Sequence, residues 1–140
     1  MRALLIAGAA ALALTGCSDS RRNPEPNGAK TVVDTAQPPA NLPSYLKPYP
    51  GARILKSLSN RRGGLLVMEA NAPAERVMEF YKAEAAQAGL RSRLDSRKIG
   101  LGLHIGPHVV VFSAAGKGRF SASVEARKDV TKVDLVYAAS

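Results

Sequence analysis

The chain has 140 residues, with 20 Lys and Arg against 11 Asp and Glu, a formal net charge of +9, one cysteine and no tryptophan. That length holds one domain at most, and a lone cysteine excludes an internal disulfide or a cysteine-built metal site. With 46% hydrophobic residues and a mean hydropathy of −0.08, the composition suits a folded domain that meets water rather than a bundle of membrane-spanning helices.

In chain order, Arg2 is followed by the apolar run Ala3–Leu14, broken by Gly8, then by the small residues Thr15 and Gly16 and by Cys17. A charged start, an apolar stretch of about 7–15 residues and small residues before a cleavage point describe a secretory signal peptide. The run is too short to span a bilayer, which takes about 20 apolar residues, and charges interrupt every later apolar run. Leu14-Thr15-Gly16-Cys17 resembles the lipobox of bacterial lipoproteins. The resemblance implies a signal peptide at 1–16, cleavage before Cys17, a lipid on the Cys17 thiol and acylation of the new amino terminus. Ser18 stands where Asp, by the family's habit, favours inner-membrane retention, so the resemblance implies an outer-membrane lipoprotein facing the periplasm, although Asp19 follows one place later. One acyl chain holds a protein only reversibly and stable anchoring takes two signals. A diacylated cysteine meets that condition without a spanning helix.

Residues 17–44 read as the acylated cysteine and a flexible linker. Pro24, Pro26, Pro38, Pro39 and Pro43 favour extended backbone, and too little apolar surface is present to offset ordering entropy. Thr31-Val32-Val33 is its one β-prone island, able to add a strand or meet a partner. The linker is neutral: Arg21, Arg22 and Lys30 balance Asp19, Glu25 and Asp34. Residues 45–140, expected to form a small domain, hold sixteen Lys and Arg against eight Asp and Glu.

Tyr45–Gly51 opens that domain with two prolines around Tyr49 and a Pro50-Gly51 turn, the tyrosines capping the core edge. Arg53–Ser59 reads as a first strand with Ile54 and Leu58 on one face. Asn60–Gly64 is a hairpin connection with Arg61 and Arg62 at its tip, and Leu65–Met68 is a central strand. Asn71 or Ala72 is the expected cap of a helix with Pro73 in its first turn and Gly89 as the left-handed residue after its end. Val77, Phe80, Tyr81, Ala85 and Ala88 form its apolar stripe, with Lys82, Glu79 and Gln87 towards water. From Leu90 the period becomes two: Leu90, Ser92, Leu94 and Ser96 alternate with Arg91, Arg93, Asp95 and Arg97. Lys98–Gly106 reads as a bulged, glycine-bearing connection. Val109–Phe112, Arg119–Arg127 and Val133–Tyr137 read as an antiparallel meander. The expected fold is α+β, one helix on one face of an antiparallel sheet of about five to six strands, in the order β-β-α-β-β-β-β. The sequence Tyr49–Ala52, Phe80-Tyr81 and Ala88-Gly89-Leu90 is similar to small bacterial lipoprotein and envelope domains of unknown function, a resemblance that brings no catalytic residues.

One candidate site for chemistry stands out, and it is not a catalytic one. His104 and His108 read as loop histidines, since Gly106 and Pro107 forbid a shared helix face and no Cys, Asp or Glu cluster completes a metal shell. Gly100-Leu101-Gly102 has no helix after it, so a dinucleotide loop fails on context. Ser113, Ser121 and Ser123 lack a nucleophile elbow. The basic residues Arg91, Arg93 and Arg97 on one strand face, and Arg119 and Arg127 on another, are the candidate anion-binding set. If the faces coincide, the sheet face away from the helix carries a basic stripe, and a guanidinium fork grips phosphate or carboxylate with two bonds. The bland reading is equally open, since an uncovered antiparallel face is expected to be polar. A basic domain gathers anions through its summed field, and the anions of an envelope are lipopolysaccharide, phospholipid headgroups and acidic polymers rather than nucleic acid. The expectation is a non-catalytic, cofactor-free, lipid-anchored module that binds an anionic envelope component or a protein partner. One alternative is a scaffolding subunit joined through an apolar edge. Another is a small hydrolase, which needs His104 or His108 grouped with a carboxylate.

Overall fold

The computed structural model of the protein describes residues 31–33, 37–99 and 106–139, and the expected α+β order is present in it. The strands are β1 (Thr31–Val33), β2 (Arg53–Asn60), β3 (Gly63–Ala70), β4 (Arg91–Asp95), β5 (His108–Ala114), β6 (Gly118–Ala126) and β7 (Thr131–Ala138), with one helix, α1 (Ala74–Gln87), between β3 and β4. Strands β2 to β7 are those the alternation predicts. The β-prone island of the linker adds β1, which pairs antiparallel with β2 and places Val32 opposite Leu58. The sheet order is β1-β2-β3-β7-β6-β5-β4, antiparallel throughout. β5, β6 and β7 form the expected meander. The expected signal segment, Cys17, His104 and most of the glycine-bearing connection lie outside the described residues.

Alternation puts Leu66, Met68, Val110, Phe112, Phe120, Ala122, Val124, Val133, Leu135 and Tyr137 on one face, all buried. Two layers cover that face. One is α1, with Val77, Met78, Tyr81 and Ala85 buried. The other is the segment 37–52, a strap of turns that delivers Leu46, 1% exposed, into the core. Tyr45 of the strap lies against Phe120, which stacks on Phe112 at 4.8 Å. Tyr49 meets Phe80 edge-on at 5.2 Å, and Phe80 meets Tyr81 in the same way at 5.1 Å. The packed part therefore begins before residue 45. Leu42 packs on the core, Asn41 Nδ2 donates to Asn60 O at 2.7 Å, and Tyr137 Oη donates to Asn41 Oδ1 at 2.9 Å.

The helix differs from expectation at two points. Pro73 occupies the cap position itself, with Val77 N–H bonding its carbonyl, in place of the expected Asn71 or Ala72. Lys82 is half-buried and turned towards the sheet, because Asp95 stands there to receive it at 3.1 Å. The helix end follows prediction: Gly89 has φ +71°, Leu90 N–H bonds Ala85 O, and Gly89 N–H bonds Ala86 O. These are the two bonds of a Schellman motif. No basic residue lies in the last turn of α1, and Lys117 from the β5–β6 turn brings its Nζ over Gly89 instead. A cation there suits the negative end of the helix dipole.

Two bulges overturn the expected facing of the irregular strands. In β2 the register shifts between Ile54 and Lys56, so Ile54 faces inwards with Met68 while Leu58 pairs with Leu65 on the open face. In β4 it shifts between Ser92 and Leu94. One unpaired residue reverses every side chain beyond it. Leu94, expected inside, is 46% exposed on the open face, and Asp95, expected outside, is 7% exposed on the inner one.

Candidate functional site

The face of the sheet away from α1 and the strap is uncovered among the described residues, and strand register assigns its side chains to rows. Near one end Arg53, Glu69, Lys132 and Glu125 stand side by side on β2, β3, β7 and β6. Arg53 Nη2 meets Glu69 Oε2 at 2.7 Å, and Arg127 reaches Glu125 at 3.5 Å. The next row runs Lys56, Val67, Asp134, Ser123 and Val109. One Asp134 oxygen accepts from Lys132 Nζ at 2.8 Å, and the other is buried without a hydrogen-bond partner. The third row is Leu58, Leu65, Val136, Ser121, Val111 and Leu94, apolar but for one serine. Val136 in it is 52% exposed. In the fourth, Ser113 stands directly between Arg91 on β4 and Arg119 on β6.

The five candidate arginines do not form one stripe. Arg91 and Arg119 share the open face, about 10 Å apart across two strand spacings. Their planar forks can converge on one anion above the Ser113 hydroxyl. Arg93 is the residue the β4 bulge leaves out of register, exposed at the sheet edge. Arg97 lies beyond β4, in a turn, where its guanidinium meets Glu75 at the start of α1 at 3.2 Å. Glu75, exposed, is held below the usual carboxylate range by its own backbone N–H and by Arg97. Arg127 falls past the end of β6 and is paired with Glu125. The expectation of Arg91, Arg93 and Arg97 on one face fails because it extends a strict period of two through a bulge and past the strand end.

His108 is not a loop residue. It opens β5 on the inner face, and its Nε2 lies 2.7 Å from Asp95 Oδ1, each side chain 6% exposed. Asp95 also receives Lys82 Nζ at 3.1 Å and the Arg97 backbone N–H at 3.1 Å. Burial pushes this carboxyl's pKa up. The hydrogen bonds from His108 and Lys82, the Lys82 charge and the Arg97 N–H outweigh burial and hold it at about 2. Asp95 is therefore ionised and only accepts, so His108 Nε2 carries the proton. Ser96 completes the joint, its Oγ accepting from Val109 N–H at 2.8 Å. This is the His–carboxylate grouping a hydrolase needs, but the pair is shut from solvent and Nε2 is engaged by the acid. The geometry ties β4, β5 and α1 together. Among the described residues no group of three or more His, Cys, Asp or Glu could hold a metal ion, and no helix is long and apolar enough to cross a membrane.

Sequence reasoning missed the apolar row on the open face and the Asp95–His108 tie. The strand residues that compose them are visible as alternation, but only pairing across strands shows that they meet. No protein-family model, curated protein or solved structure matches the chain.

Proposed function

We propose that this chain is a periplasm-facing envelope lipoprotein, anchored through a lipid on Cys17, whose sheet domain is a non-catalytic binding module for an anionic envelope component. The observation that carries this reading is that Arg91 and Arg119 stand on either side of Ser113 on the uncovered face. A tether of no net charge joined to a domain with eight excess cations supports it, because the attraction is concentrated where the open face lies. Ligands of the phosphate or carboxylate class, such as lipopolysaccharide or anionic lipid headgroups, suit two guanidinium forks over a hydroxyl.

The test is binding of the purified full-length chain in mild detergent to immobilised lipopolysaccharide and to anionic lipid, at low and high salt. Arg91→Glu with Arg119→Glu is expected to weaken binding about tenfold or more, since it removes two charge-assisted contacts and adds repulsion. Arg61→Glu with Arg62→Glu, at the tip of the β2–β3 hairpin, changes the net charge equally and serves as the control. Equal loss from both pairs would assign the affinity to the general field of the domain and refute a site at Ser113. A second reading, a scaffolding subunit, is favoured by the apolar row Leu58, Leu65 and Val136, and predicts association that salt barely changes.

A further inference from the structure

The charged row at one end of the open face has a symmetry that anion binding does not use. Across β2, β3, β7 and β6 it runs Arg53, Glu69, Lys132, Glu125. Reversing the order of such a row exchanges every cation for an anion. We propose that the open face docks a second copy of the same chain, about a two-fold axis that runs along the strands midway between β3 and β7. Arg119, on β6, falls within the covered face, so the dimer and anion binding between Arg91 and Arg119 compete.

That axis lays each row on itself with its order reversed. Glu69 of one copy meets Lys132 of the other, and Arg53 meets Glu125, so the charged row is complementary along its length. In the apolar row Leu65 meets Val136, which covers the exposed valine. Asp134 comes over Val67 with Lys56 of the second copy beside it, a cation next to a carboxylate whose side chain is partly exposed. An isologous contact of this kind is the commonest route to a closed oligomer. Six strands lie symmetrically about the axis, β1 over β5, β2 over β6 and β3 over β7. At about 4.8 Å between strands and 3.3 Å per residue they present roughly 700 Å² per copy, close to the roughly 800 Å² of a standard interface. β4 projects beyond the overlap, so Arg91 stays at the rim.

The test is the mass of the purified full-length chain in mild detergent, measured across a concentration series. Wild type is expected to be a dimer. Lys132→Glu alone and Glu69→Lys alone each create two like-charge contacts in a symmetric pair and should weaken association about tenfold or more. A one-to-one mixture of these two variants restores both contacts with opposite charges and should associate about as tightly as wild type, an outcome that a purely structural role of either residue does not produce. Val136→Asp, at an exposed position, should weaken the dimer while the separated chain keeps its folded circular dichroism spectrum, which keeps the test decisive if either charge variant folds poorly. A wild-type chain that is monomeric throughout, a mixture no tighter than its components, or a dimer indifferent to Val136→Asp would overturn the proposal.

Discussion

A carboxylate taken out of water costs several kcal/mol unless donors meet it, and Asp95 is met by His108, Lys82 and the Arg97 N–H. Removing its charge takes away the anion to which His108 Nε2 and Lys82 Nζ donate, so Asp95→Asn is expected to lower stability by about 3 kcal/mol, measured by denaturant unfolding. The folded carboxyl titrates at about 2 against an ordinary value of 3.8. Stability drawn from this difference is complete above pH 4 and is lost as pH falls through 2, amounting to about 2 kcal/mol. Acid unfolding monitored by circular dichroism should show that loss in the wild type and a flatter profile in Asp95→Asn. Equal slopes would mean that the pair contributes nothing to folding. Gly63 illustrates a different residue-scale constraint. Its φ is +147°, and a Cβ there would run into the Tyr137 carbonyl, so the start of β3 can lie against β7 only without a side chain.

At the scale of elements, α1 and the strap share the covering of one sheet face, and aromatic side chains join them. The stripe predicted for α1 treats Phe80 and Tyr81 alike, but their surroundings differ. Tyr81 is 0% exposed, its hydroxyl 3.7 Å from Met68 Sδ and its pKa raised by burial, whereas Phe80 lies half-buried between Tyr81 and Tyr49. Tyr81→Ala should therefore cost about 3–5 kcal/mol, and Phe80→Ala distinctly less. Thermal melts of the two variants check the order. Much of this level was legible in the sequence. The apolar spacing of α1, Gly89 at its end, the Arg61–Arg62 hairpin and the β5–β7 meander all express local periods and turn chemistry. The bulges at Leu55 and Arg93 were not legible, because a bulge is defined by the neighbouring strand. Each bulge reversed the facing of the later residues in its strand, and with it the expected position of Leu58, Leu94 and Asp95.

For the whole molecule, charge is unevenly spread: residues 18–44 carry no net charge and residues 45–140 carry eight excess cations. β1, which starts 14 residues after Cys17, lies within the stretch expected to be a linker and pairs with β2. The proposed anchor makes a direct prediction. Cys17→Ser should move the chain from the membrane fraction to the soluble fraction of the envelope, since stable attachment takes the acyl chains that the thiol carries. Immunoblots of fractionated cells check this, and a variant that stays with the membrane would place the attachment elsewhere. By itself the sequence determined what neighbouring residues decide: the charge asymmetry, one helix and six alternating strands. Only the tertiary structure decided which side chains meet. Arg91 and Arg119 flank Ser113 on one face, Arg97 leaves them for Glu75, and Asp95 turns inwards to a histidine 13 residues away. The reason is that a strand's period gives two faces, while the partner strand's register selects which face each residue occupies and what stands beside it.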